Sequence, residues 1–247
     1  MNDLILNNFT VIDSVYGKFI VNRHCHFQAE ALIKTGRPHI EDELKKILAI
    51  VNSLPEGAVV VDAGANIGLV GIPIARALQA TGGMVLAFEP QRMLFYALCG
   101  SASINDLDNF YAYNMALGGD ARLVDVPRPD YGLPQDLGTV SLIAPTPDRP
   151  TERVLLRPLD GFGLARLDFL KIDVEGMEID VLTGAASLIR THLPWCWVEH
   201  WKVGIAPIKA QFAGLSYNFF VMDELNLLCA PEPRLAASHI AVTAPQA

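Results

Sequence analysis

Cysteine is scarce and scattered: Cys25, Cys99, Cys196 and Cys229 stand far apart, with no C-x-x-C and no His/Cys pair at zinc spacing. That argues against a disulfide scaffold and a cysteine-built zinc site, and fits reduced core thiols in a cytoplasmic protein. Basic stretches are missing as well. The formal charge is −8 and the 19 Lys and Arg residues do not gather, so neither a nucleic-acid surface nor an anionic-membrane surface is expected, since both need clustered positive charge. No apolar run approaches the roughly 18 residues of a membrane-spanning helix. The opening MNDLILNNFTVIDS has no basic segment followed by an apolar one, so secretion is not expected either. Internal repeats, heptads, low-complexity tracts and a linker between independent domains are also lacking.

What is present is apolar and periodic. The chain of 247 residues is 51% hydrophobic, enough for a sheet covered by helices on both faces. From Ala58 short apolar strands alternate with helical segments, the signature of an α/β fold with a parallel sheet. The pattern predicts strands at 58–64, 84–90, 110–117, 167–174 and 194–200, with helices at 67–78, 91–104 and 177–190 between them. Pro73 falls inside the first of these helices and predicts a kink. Before the repeat, 9–22 read as a hairpin turning at Tyr16-Gly17 and 40–54 as an amphipathic helix. Residues 118–160 carry seven of the 16 prolines and read as a surface excursion, with a short hairpin pairing Val140–Ile143 with Val154–Leu156. Residues 217–230 read as a closing antiparallel pair.

Four of the five central strands end in an acid: Asp62, Glu89, Asp173 and Glu199, while the third ends near Asn114. In an open parallel sheet the ligand crevice lies beyond the carboxyl ends of the strands, so these acids collect where a ligand would sit. In KIDVEGMEID, Glu178 and Asp180 fall in a helix's first turn, where the macrodipole favours acids. Asp173 precedes the helix and reads as a site residue; Glu175 reads either way; Gly176 supplies the sharp exit from strand to helix. The first strand-to-helix turn, DAGANIG, is not G-x-G-x-x-G, because Asn66 and Leu69 occupy the second and third glycine positions. It is D-x-G-x-N-x-G, which permits close backbone approach to a ligand without depending on a pyrophosphate. Glu89, 27 residues after Asp62, is placed to accept the hydroxyl protons of a ribose.

VVVDAGANIG, LAFEP, LDFLKIDVEGME and a strand ending WVEH together resemble the FkbM family of class I S-adenosylmethionine-dependent methyltransferases. The likeness runs from the Tyr16-Gly17 hairpin and the Glu41–Glu43 helix entry to the final NLLCAP, and DAGANIG with KIDVEG is its most specific part. The resemblance implies a Rossmann-like sandwich with a mostly parallel seven-stranded sheet, a C-terminal antiparallel hairpin and an N-terminal hairpin-helix extension. One domain would cover 1–247, with the extension at 1–55 and the core at 56–247. It implies S-adenosyl-L-methionine as cofactor, with Asp62, Gly64, Ala65, Asn66 and Gly68 along its methionine end, Glu89 and Pro90 at the ribose, Asn114 and Met115 beside the adenine, and Asp173 bordering the cofactor. It further implies O-methylation of a hydroxyl on a sugar, glycan or small secondary metabolite.

Transfer to a hydroxyl is an in-line displacement that needs a general base near the acceptor. Asp173, Glu175, Glu199 and His200 are the candidates; His200 equally suits a surface position beside Trp201. A cation bridged by Asp173 and a second acid would suit hard-ligand chemistry. No compact ligand motif is present, however, and no metal is expected. His24 and His26, at strand-like spacing, read as surface residues; Trp195 and Trp197 read as core and Trp201 as a stacking surface; DYGLPQDLGTVSL reads as a cover for the acceptor. The acceptor is expected to be a small molecule or carbohydrate, and the oligomeric state stays open, a homodimer included. Two other functions remain: a module that binds S-adenosylmethionine without turnover, and a nucleotide-dependent oxidoreductase, which Asn66 and Leu69 weaken.

Overall fold

The computed structural model describes residues 7–139 and 149–238. Its elements, in chain order, begin with the hairpin β1 (Phe9–Ser14) and β2 (Gly17–Asn22), then helices α1 (His26–Thr35) and α2 (Glu41–Val51). There follow β3 (Val59–Ala63), α3 (Gly71–Leu78), β4 (Met84–Phe88), α4 (Arg92–Ile104) and β5 (Phe110–Tyr113). The excursion holds β6 (Ala116–Leu117), β7 (Arg122–Pro127) and β8 (Thr151–Arg157). The chain then re-enters the core with β9 (Phe169–Ile172), α5 (Glu178–Gly184), α6 (Ala186–His192), β10 (Trp195–Glu199) and α7 (Ile205–Gln211), and ends with β11 (Tyr217–Val221), β12 (Asn226–Pro231) and α8 (Glu232–Ala237).

The main sheet has seven strands in the order β11-β12-β10-β9-β3-β4-β5. All pair in parallel from β10 to β5, and β12 runs against both β10 and β11. Burial on both faces is why its strands are continuous apolar runs; every residue of Val59–Ala63 and of Phe169–Ile172 is buried, Asp62 and Lys171 included. One core layer packs the N-terminal elements with α3 and α4 on one face, and a second packs α5, α6 and α7 on the other. The N-terminal hairpin is fastened to α4 by side chains that take up its edge amides: Ile20 N donates to Ser101 Oγ at 2.9 Å and Lys18 N to Asn105 Oδ1 at 2.9 Å. Cys196 and Cys229 face each other across β10 and β12 as free, buried thiols.

Several expectations need correction. Helix α3 starts at Gly71, after a turn over 66–70, so Pro73 lies in its first turn, where no preceding helix exists to kink. The segment 177–190 forms two helices. Both Asp160 carboxylate oxygens accept from amides opening α6, Ser187 N at 2.9 Å and Leu188 N at 3.0 Å, which caps the second helix separately. The third strand stops at Tyr113, and Ala116–Leu117 join a separate three-stranded sheet. In that sheet Val154–Leu156 belong to β8, which pairs with β7; Val140–Ile143 lie outside the described residues. His26 opens α1, so the spacing of His24 and His26 is not that of a strand. Among the described residues no helix is long and apolar enough to cross a membrane.

Candidate active site

The chain crosses from the β3–β4–β5 half of the sheet to the β9–β10 half between adjacent strands β3 and β9, and a crevice opens at such a switch point. A cavity of about 450 Å³ lies there. One half is lined by the ends of β3, β4 and β5 with Gly64, Ala65, Asn66, Glu89, Pro90, Gln91 and Met115. The other is lined by the ends of β9 and β10 and the start of β12, with Lys171, Asp173, Glu175, Glu199, Trp201 and Asn226. Helix α2 contributes Glu43, and the excursion contributes Asp136, Gly138 and Thr139.

The glycine turn is shaped by a close approach. Gly64 has φ +79°, and a Cβ there would lie 1.8 Å from the backbone oxygen of Asp173, so the β3 and β9 exits touch as only glycine allows. Asn66 follows at φ 51° and turns its N–H onto Glu89 Oε2 at 2.8 Å, while Gln91 N donates to Glu89 Oε1 at 2.8 Å. The Glu89 carboxylate is buried and fixed, with lone pairs left on each oxygen. Burial pushes it up to about 7 against the pull of those two amides. Asn114 sits one layer behind, its Nδ2 donating to the carbonyls of Glu89 and Pro90 at 2.9 and 3.1 Å.

Beneath the centre lies a buried ion pair. Asp62 and Lys171 are register partners across β3 and β9. Lys171 Nζ sits 3.3 Å from Asp62 Oδ1 and 3.3 Å from Asp173 Oδ2, and donates to Gly64 O at 3.0 Å. Burial alone would lower the lysine; Asp173, Asp62 and Glu43 overcome it and hold the ammonium above its ordinary value. Asp62 therefore supports the floor and does not line the cavity. Gly68 also lies off it, in a packing position where a Cβ would strike Ile72 and Leu98 at 2.7 and 2.8 Å.

At the other half, Asp173, Glu175 and Glu199 each place a carboxylate oxygen within 4.8 Å of the others, a donor set with the chemistry to hold a hard divalent cation. Burial, and then the neighbouring acids, raise Glu175 and Glu199. Glu199 is pushed up to about 8 by burial first, then by Asp173 and Glu175. Glu175, at φ 61°, pairs with Lys202. Gly176 follows at φ 106°, completing the sharp exit expected of it. Glu178 is wholly buried, and its Oε1 accepts from Val174 N at 3.2 Å and Gly176 N at 3.0 Å, a tighter role than a dipole-favoured surface acid. His200 is not among the residues lining the cavity; its backbone N–H donates to Leu225 O at 2.7 Å. Trp195 and Trp197 are core and Trp201 is 55% exposed on the cavity wall.

The family model described as "Methyltransferase FkbM domain" matches residues 62–218, the segment from the buried aspartate of β3 into β11. The chain belongs to the FkbM methyltransferase family. A curated relative, "Methyltransferase sdnD" of Sordaria araneosa, is 27% identical over 187 residues, 62% of this chain and 66% of that protein. The crystal structure of methyltransferase FkbM from Methylobacillus flagellatus superposes with a TM-score of 0.51 at 16% identity over 71% of this chain and 44% of that one. Trm5b from Pyrococcus abyssi does so at 0.50 and 11% identity, covering 90% and 55%. At these identities the two structures speak for the fold alone. The chain thus spans just under two thirds of the curated relative and less than half of the FkbM structure.

The methyl donor of this family is S-adenosylmethionine, and the FkbM-type cavity suits it. An adenosyl group presents ribose hydroxyl and exocyclic amine donors. The wall beside Glu89 presents that carboxylate together with two buried amide oxygens, Asn66 Oδ1 and Gln91 Oε1, that have no partner among the described residues. Gln91, Gln28, His39, Ile40, Glu43, Lys171 and Asn226 line the cavity without having been legible as site residues. For Lys171 a signal existed: it is the single cation inside an otherwise apolar strand.

Proposed function

We propose that this FkbM-family protein transfers a methyl group from S-adenosylmethionine to a hydroxyl oxygen of a sugar, glycan or small hydroxylated metabolite. The observation that carries the reading is one cavity spanning both halves of the strand-end surface, with an adenosine-type wall at β3, β4 and β5 and a carboxylate wall at β9 and β10. When bound, S-adenosylmethionine supplies an electrophilic sulfonium methyl. Glu89, Asn66 and Gln91 hold the ribose side, with Ala65, Pro90 and Met115 packed along it. The opposite wall would hold the acceptor oxygen in line with that methyl and take up the hydroxyl proton on one of its carboxylates. Glu199 serves this role best, since a base poised near neutrality is efficient, and Asp173 lines the same wall beside it. Glu175, tied to Lys202, completes that wall as its third carboxylate. The −8 charge supports a neutral or cationic small acceptor over nucleic acid or membrane.

Transfer of isotope-labelled methyl from S-adenosylmethionine to a panel of methyl glycosides and small polyols tests this. Label in an acid-stable, ether-linked product supports it. S-adenosylhomocysteine binding without transfer to any hydroxyl compound would favour a binding module, and tighter binding of NAD would favour an oxidoreductase.

A further inference from the structure

Helix α2 opens with three acids, Glu41, Asp42 and Glu43. Acids in a first turn usually sit in solvent, where the macrodipole favours them modestly. Asp42 does so, at 95% side-chain exposure, and Glu41 is tied down by Tyr16 and Arg37. Glu43 turns inward onto the cavity. Its Oε1 accepts from Trp197 Nε1 at 3.0 Å, and Trp197 is wholly buried in β10, so the carboxylate is held in one orientation. Among the described residues its Oε2 takes no hydrogen bond.

Turning a carboxylate away from bulk water carries a cost, and the hydrogen bond to the indole does not require its charge. A glutamine would satisfy the indole equally well. The surrounding charges sharpen the point. Lys171, which also lines the cavity, makes its ion pairs with Asp62 beneath and Asp173 alongside, at 3.3 Å each.

We infer that Glu43 is a specificity-determining contact for the acceptor, its Oε2 accepting a hydrogen bond from a donor group other than the hydroxyl being methylated. This rests on the methyl-transfer reading of the cavity. It assigns the acceptor to polyhydroxylated or amine-bearing, non-anionic compounds, because Glu43, Asp173, Glu175 and Glu199 together would repel a phosphate or carboxylate.

The test uses the full chain saturated with S-adenosylhomocysteine and ligand-observed NMR titration of methyl α-D-glucopyranoside and myo-inositol as neutral polyols, D-glucosamine as an ammonium, and D-glucose 6-phosphate as an anion. Saturable binding of a polyol or of glucosamine is expected, and which of them binds tells whether the donor is hydroxyl or ammonium. Glu43→Gln, which retains an oxygen for Trp197, should weaken it about tenfold or more, and Glu43→Ala at least as much. The affinity of Glu43→Gln for S-adenosylhomocysteine should stay at the wild-type level. Unchanged probe binding in both variants, preference for the phosphate, or binding of no probe by a protein that does bind S-adenosylhomocysteine would overturn the inference. Failure of the wild type to bind S-adenosylhomocysteine would instead strike the methyl-transfer reading itself.

Discussion

The two ends of the central sheet handle buried acid in opposite ways. At the amino ends of the strands, Asp168 is 1% exposed, yet it accepts from Val59 N at 3.0 Å, from Arg234 Nη1 at 2.9 Å and from Arg166 Nε at 2.5 Å. Burial would raise its pKa, but these donors more than offset that and hold it below the usual carboxylate range. At the carboxyl ends, Glu43, Glu89 and Glu199 are pushed up to about 7, 7 and 8, with burial the largest cause in each. The same chemical group is a staple where its donors are complete and a reactive, ligand-seeking group where they are not.

The sharpest way to break this contrast is Asp168→Ala. It strands two guanidinium groups and the Val59 amide, and should cost about 3–5 kcal/mol of stability in denaturant titration. S-adenosylhomocysteine affinity of the folded fraction should be retained. A loss below about 1 kcal/mol would show that Asp168 is not a staple.

The site end should show the opposite dependence on pH. In the unfolded chain Glu43, Glu89 and Glu199 ionise near their ordinary value of 4.5, so between there and about 8 the folded state holds more protons. Stability is therefore fullest at the low end of that window and falls as pH rises through about 7 to 8. Asp168 acts with the other sign and only at lower pH, losing its contribution as pH falls below the ordinary carboxylate range. Denaturation midpoints of the ligand-free protein should decline from pH 5.5 to 8.5 by about 1 kcal/mol or more, and Glu199→Gln should flatten the upper part of the decline. A level or rising profile would contradict the raised values. The smallest effect concerns α3: because Pro73 lies in a first turn, Pro73→Ala should lower stability by only about 0.4–1 kcal/mol, whereas a strained, kinked helix would gain.

Much of this was legible in the sequence. The strands β3, β4, β9 and β10 are apolar runs, broken only by Asp62 and Lys171, that carry an acid at or next to their carboxyl ends, and burial on both faces favours such a composition. The position of the crevice followed from those strand ends. Side-chain direction did not follow: Asp62 and Glu89 both close a strand, yet one turns under the sheet to Lys171 and the other stays at the cavity wall. Glu43 was invisible for a different reason. Three acids opening α2 look alike until the Trp197 indole, 154 residues away, selects one of them. The break between α5 and α6 depends likewise on Asp160, a remote cap. Pairing with distant residues, which no local period encodes, separates the legible part from the rest.

The central claim is that the cofactor occupies the β3–β4–β5 half of the cavity and the acceptor the β9–β10 half. Calorimetric titration of S-adenosylhomocysteine into wild type, Glu89→Gln and Glu199→Gln tests it most directly. Affinity should fall about 10–100-fold in Glu89→Gln and stay within about twofold of wild type in Glu199→Gln. Wild-type affinity in Glu89→Gln, or an equal loss in both variants, would contradict the assignment of the two halves.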